Sequence, residues 1–114
     1  MTASTMRPST STVAAALLLA LSLTPALAQD AKIGRQKAQA CMVCHGQNGL
    51  STQPDAPNLA GQPAMYISSS LKAYRSGDRR HEMMAMMAQT LSDEDIQNVA
   101  AWFSSIRIEA HLPR

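Results

Sequence analysis

Two thiols and an imidazole stand together in the run Cys41-Met42-Val43-Cys44-His45, and these are the only two cysteines of the chain. Two cysteines three residues apart followed at once by a histidine form the attachment pattern of a c-type haem. On a helical turn, positions three apart share a face. Both thiols can then add to the vinyl groups of one porphyrin while His45 swings under the ring to ligate its iron. The same residue types serve two other chemistries. A redox dithiol wants a thioredoxin-like βαβ surround, and half of a zinc site wants a second Cys/His pair. The remaining histidines, His81 and His111, stand alone in the sequence, so neither surround is present.

An iron held by one histidine needs either a second axial ligand, which makes an electron carrier, or an open position, which makes a catalyst or gas binder. The chain offers a cluster of thioethers in Met83, Met84, Met86 and Met87. A thioether opposite imidazole stabilises ferrous iron, raises the reduction potential and blocks the sixth position. Electron transfer is thereby favoured over catalysis, and no small-molecule substrate is expected. From a different class, the same methionines suit Cu(I), the cargo of a copper carrier.

The elements that must position these groups follow from pattern. Residues 1–28 carry a single charge, Arg7, an apolar run from Val13 to Leu27, and the small-x-small signal Ala26-Leu27-Ala28. This is the pattern of a secretory signal peptide cut after Ala28, and the apolar run is shorter than the roughly 20 residues of a membrane span. Export agrees with the haem motif and places the protein in the periplasm. The remaining domain, residues 29–114, is small enough to need a staple, which a covalent haem supplies. Ten basic residues against eight acidic ones leave little net field once Arg7 is removed, and without a basic stripe or interleaved aromatics nucleic-acid binding loses its support.

Within that domain, Asp30 to His45 predicts a first helix, in which Gly34 marks a close approach by another helix. The Gly, Asn, Ser and Pro-rich stretch 46–62 predicts a long loop around the edge of the cofactor. Pro63 opens a helix that Gly77 stops, with Tyr66, Ile67, Ser70, Leu71 and Tyr74 near one face. A polar bend leads into the methionines. Ser92-Asp93-Glu94-Asp95 caps a last helix over 92–106, with Ile96, Val99, Ala100, Phe103 and Ile106 at helical spacing. No strand-like alternation occurs, and the fold class is all-α.

Taken in order, Cys41-Met42-Val43-Cys44-His45-Gly46, Pro57-Asn58-Leu59-Ala60-Gly61-Gln62, the methionine segment, Leu91-Ser92-Asp93-Glu94-Asp95-Ile96 and Ala100-Ala101-Trp102-Phe103 resemble the class I c-type cytochromes. The likeness is strongest to the short bacterial ones and to one half of the di-haem cytochrome c4 group, and it covers nearly all of residues 31–106. It implies a small cytochrome c fold of three to four helices wrapped around one covalently attached haem c, bound through Cys41 and Cys44. The resemblance makes His45 and Met84 the axial ligands, Met84 lying seven residues before Leu91; Met83 and then Met87 are the alternatives, because Ala85 stands where the family often has proline. A proline carbonyl orients the proximal histidine in such proteins; Pro57 matches it, with Pro54 as the alternative. Tyr66, Tyr74, Arg75, Arg79 and Arg80 are candidates for the haem propionates, and Trp102 for an aromatic packed against Gly34. The implied function is a periplasmic mono-haem carrier passing single electrons between redox partners such as membrane respiratory complexes or periplasmic dehydrogenases, touching the membrane only through them. A haem subunit of a periplasmic dehydrogenase is the alternative within redox biology, and a ligand-binding or peroxidatic haem protein would require an open sixth position.

Overall fold

A computed structural model describes residues 30–114. The leader assigned to residues 1–28 and its cleavage after Ala28 lie outside the described residues. Those described form five α-helices and a short 3-10 turn and contain no strand: α1 (Ala31–Lys37), α2 (Gln39–His45), the turn Gln47–Gly49, α3 (Ala64–Ser76), α4 (Glu82–Gln89) and α5 (Asp93–Ser105). None of these helices is long and apolar enough to cross a membrane.

The helix count exceeds three to four for two local reasons. The expected first helix is divided at buried Ala38, where ψ flattens to −7° and the Cys41 amide bonds back only three residues, to the Ala38 carbonyl at 3.0 Å. The methionine segment, whose uninterrupted apolarity gave no period to read, is itself a helix. α3 begins one residue later than expected, with Pro63 as its N-cap, and ends at left-handed Gly77 (φ 87°).

α5 is the centre of the molecule. Its Ile96, Val99, Ala100 and Phe103 are at most 1 % exposed, and α1 and α3 pack on it while α4 leans on α3. The helix starts where the sequence says it should. The Ser92 hydroxyl accepts the Asp95 amide at 3.0 Å and the Asp95 carboxylate accepts the Ser92 amide at 3.1 Å, a reciprocal capping box. Gly34 lies where α1 crosses α5. A Cβ there would stand 1.9 Å from the Asn98 carbonyl oxygen and 3.0 Å from the Trp102 Cβ, so no larger residue allows this approach.

The crossing carries a second tie that the sequence did not announce. Asp30 caps α1 by accepting the Lys32 amide at 2.7 Å, and its own amide donates at 2.8 Å to Oδ1 of Asn98. Asn98 is a buried polar residue on the apolar face of α5, and this bond is why it is tolerated there.

Candidate functional site

α2 ends on the haem-type motif because Gly46 follows it. At φ 78° the backbone enters a region that glycine alone adopts cheaply, and a Cβ would meet the Leu50 carbonyl oxygen at 1.9 Å. The chain therefore turns back immediately after His45. The loop that follows is tied down at several points: Ser51 N donates to Asn58 Oδ1 at 2.7 Å, Leu59 N to Gly49 O at 2.8 Å, and Gly61 N to Phe103 O at 2.8 Å.

This return brings the Pro57 carbonyl to 2.8 Å from Nδ1 of His45. A carbonyl only accepts, so the Nδ1 proton faces Pro57 and the lone pair of neutral His45 is on Nε2. His45 is 7 % exposed, which leaves that nitrogen as an oriented, desolvated ligand. Pro57, and not Pro54, supplies the carbonyl.

His45, Cys41 and Cys44 line a cleft of about 1050 Å³. Its apolar surface comes from Leu59 in the loop, Ile67 and Leu71 of α3, and Val99 and Phe103 of α5; Met83, Met84 and Met87 line it from α4. All three candidate methionines thus reach one cavity, whereas Met86 is exposed outside it. They differ in setting: Met84 packs against the core, while Met83 is 50 % exposed.

The donor set and shape of this cleft fit a haem: a flat apolar body needs an apolar slot, two thiols on one helical turn, and an imidazole held with Nε2 free. They fit the other chemistries of the motif poorly. Burial raises the Cys41 thiol above its usual pKa, the reverse of the stabilised thiolate that a redox dithiol requires. Among the described residues no three His, Cys, Asp or Glu side chains cluster as a metal site.

Of the residues considered for the propionates, Tyr66, Tyr74 and Arg79 line the cleft; Arg75 and Arg80 do not. Arg75 is used elsewhere. Its guanidinium donates to the Leu91 carbonyl at 3.1 Å and pairs with Asp93, joining α3 to the start of α5, and the guanidinium holds the Asp93 carboxyl below its ordinary range. Sequence reasoning missed His81, which lines the cleft and caps α4. Its position three residues before Met84 is the spacing of an N-cap, a signal masked because imidazole is not a usual capping group.

Comparison with known proteins gives this geometry a family. The cytochrome c family model matches residues 31–107. Cytochrome c-554(548) of Halomonas halodenitrificans is 49 % identical over 81 residues, covering 68 % of this chain and 98 % of that protein. Among solved structures, reduced recombinant cytochrome c4 from Pseudomonas stutzeri superposes with a TM-score of 0.66 at 36 % identity, over 70 % of this chain and 47 % of that one. Thiosulfate dehydrogenase from Marichromatium purpuratum superposes with a TM-score of 0.65 at 31 % identity, over 68 % of this chain but 19 % of that one. The chain therefore spans almost all of the first relative, about half of the second and a small part of the third. With its all-α cytochrome c fold and the covalently bound haem c that goes with it, the chain belongs to the cytochrome c family of electron-transfer proteins.

Proposed function

We propose that the protein is a periplasmic mono-haem electron carrier, exported by the leader at residues 1–28, that passes single electrons between redox proteins and catalyses no reaction of its own. Cys41 and Cys44 would hold the haem covalently, and His45 and Met84 would ligate its iron. The observation that carries this reading is one apolar cleft shared by Cys41, Cys44, His45 and Met84. Bound there, the haem supplies a reversible one-electron couple.

The chain's own residues tune that couple. Pro57 fixes the His45 ring and strengthens Nε2 as a donor. Ile67, Leu71, Val99 and Phe103 keep water from the site, and an apolar surround disfavours the more highly charged oxidised iron. Met84 is the distal ligand in preference to Met83 because it is the one packed against the core. Tyr66, Tyr74 and Arg79, which line the cleft, would meet the propionates.

A second reading has a specific observation behind it. A domain of this fold occurs within thiosulfate dehydrogenase, so the chain would serve as a haem subunit of a periplasmic dehydrogenase if it co-purifies stably with one.

Intact mass is the first test: purified periplasmic protein should weigh residues 29–114 plus one haem, and acid-acetone should not strip the colour. The second is the charge-transfer absorption of an iron–thioether bond in the oxidised protein. Met84→Ala should abolish it and lower the potential. If Met83→Ala does so and Met84→Ala does not, the ligand is the neighbour.

A further inference from the structure

The helix that carries the methionines begins with an imidazole. His81 has extended backbone (φ −166°, ψ 117°), and its side chain accepts the Met84 amide at 3.3 Å. An amide only donates, so Nδ1 is the acceptor and the ring proton is on Nε2. Short oxygen-bearing side chains normally do this work, as Ser92 does for α5. A ring can replace them only if something holds it, and the structure provides the holder. His81 meets Tyr74 of α3 edge-on, with ring centroids 6.4 Å apart and planes at 76°. The Arg79 guanidinium lies 4.6 Å from the Tyr74 centroid. Arg79 is in turn fixed to α3, its amide donating to the Ala73 carbonyl at 3.0 Å and Nη1 to the Ser70 hydroxyl at 3.3 Å. Tyr74, Arg79 and His81 all line the cleft.

α4 is eight residues long, too short to hold its helix unaided. Met84 is in its first turn, the turn that frays first when a cap is lost. We propose that His81 is a positioning residue for Met84: it transmits the rigidity of the Arg79–Tyr74 stack on α3 to the amide of Met84 and so keeps that side chain in the cleft. The inference rests on the reading of Met84 as distal ligand. Loss of an N-cap shifts a closed–open equilibrium about five-fold. Carbon monoxide competes for the sixth position and binds only the open form, so its affinity rises by the same factor.

The test uses the reduced holoprotein. His81→Phe keeps a ring against Tyr74 without an acceptor; His81→Asn and His81→Ala both lose the ring and differ in the acceptor. Carbon monoxide affinity should rise about five-fold in His81→Phe, and His81→Ala should stand about five-fold above His81→Asn. Hydrogen exchange at the Met84 amide should accelerate in the Phe and Ala variants and recover in Asn. If His81→Phe melts lower with unchanged carbon monoxide affinity, or if Ala and Asn are equal, His81 is only structural and the proposal fails. Met84→Ala separates the two readings: a large gain in carbon monoxide affinity upholds the distal assignment whatever the His81 variants do, and no gain overturns both.

Discussion

Two pairs of helices in this protein meet their partners in opposite ways. Where α1 crosses α5 the backbones nearly touch at Gly34 and Asn98, and the contact is surrounded by further ties: Asp30 N to Asn98 Oδ1 at 2.8 Å, Lys37 to Asp95 at 2.9 Å, and the Arg35 guanidinium 5.5 Å from the Trp102 ring centroid. α2 and α4 have no comparable packing on one another; each faces the cleft of about 1050 Å³ instead. At roughly 24 cal/mol per Å³ of unfilled cavity, leaving about a fifth to three-fifths of that volume empty would offset the roughly 5–15 kcal/mol of a typical domain. One half of the molecule is specified by protein on protein. The other is shaped for something the polypeptide does not supply.

The largest effect should come from emptying the second half. A Cys41→Ser/Cys44→Ser double variant, unable to attach haem covalently, should lose most of its helical circular dichroism and its cooperative melt. Whatever hydrogen-exchange protection survives should lie in α1 and α5, with α4 exchanging freely. Equal protection in α4 and α5 would break the comparison, and a native-like melt would show that the chain's own core suffices.

The first half should fail for the opposite reason, through contacts that are already too close. Alanine for glycine inside a helix ordinarily gains about 1 kcal/mol, but Gly34→Ala must push α1 away from α5 and should cost about 3 kcal/mol or more. Its visible spectrum should match the parent protein while its thermal midpoint falls. A neutral or stabilising Gly34→Ala would mean that the crossing relaxes easily. A smaller loss, of about 1 kcal/mol, is expected for Asn98→Ala, which removes the acceptor for the Asp30 amide and leaves that donor to water; urea unfolding of the two variants ranks them.

These two halves were not equally legible in the sequence. The Cys41–His45 motif was readable because covalent chemistry fixes its spacing, and α5 because its capping box and apolar period agree. Gly34 and Trp102 could be paired because a glycine in a helix needs a reason. The rest depended on relations that no local pattern encodes. Four methionines in a row of five residues hide the helical period, so the sequence pattern does not reveal α4. Arg75 reads from sequence as a candidate for the propionates, yet its partners, Leu91 and Asp93, are 16 and 18 residues away and use it to join helices. Asn98 reads as an interruption of an apolar face until Asp30 is seen beside it. The carbonyl of Pro57 was found because the family resemblance pointed to it, and the tight turn at Gly46 is its physical cause.

The smallest expected effect sharpens the comparison at its edge. Asp95 belongs to the protein-packed half, and its carboxyl is held below the usual carboxylate range first by the hydrogen bond to Lys37, then by the Ser92 amide. Because the folded pKa is the depressed one, the stabilisation is complete above the unfolded value of 3.8 and is lost as pH falls through the folded value. Asp93, paired with Arg75, follows the same sign. The Asp93 side chain is 67 % exposed, and that of Asp95, 18 % exposed, pairs with a half-exposed Lys37, so salt screens both pairs and each contributes little. The thermal midpoint of Asp95→Asn should therefore lie slightly below that of the parent at neutral pH, and the two should converge as the pH drops below about 4. Taking the difference removes any acid sensitivity that the haem site contributes equally to both. A gap that persisted in acid would show that the Asn variant weakens the start of α5 by geometry, and that charge at the α1–α5 crossing adds nothing to what the close approach at Gly34 already fixes.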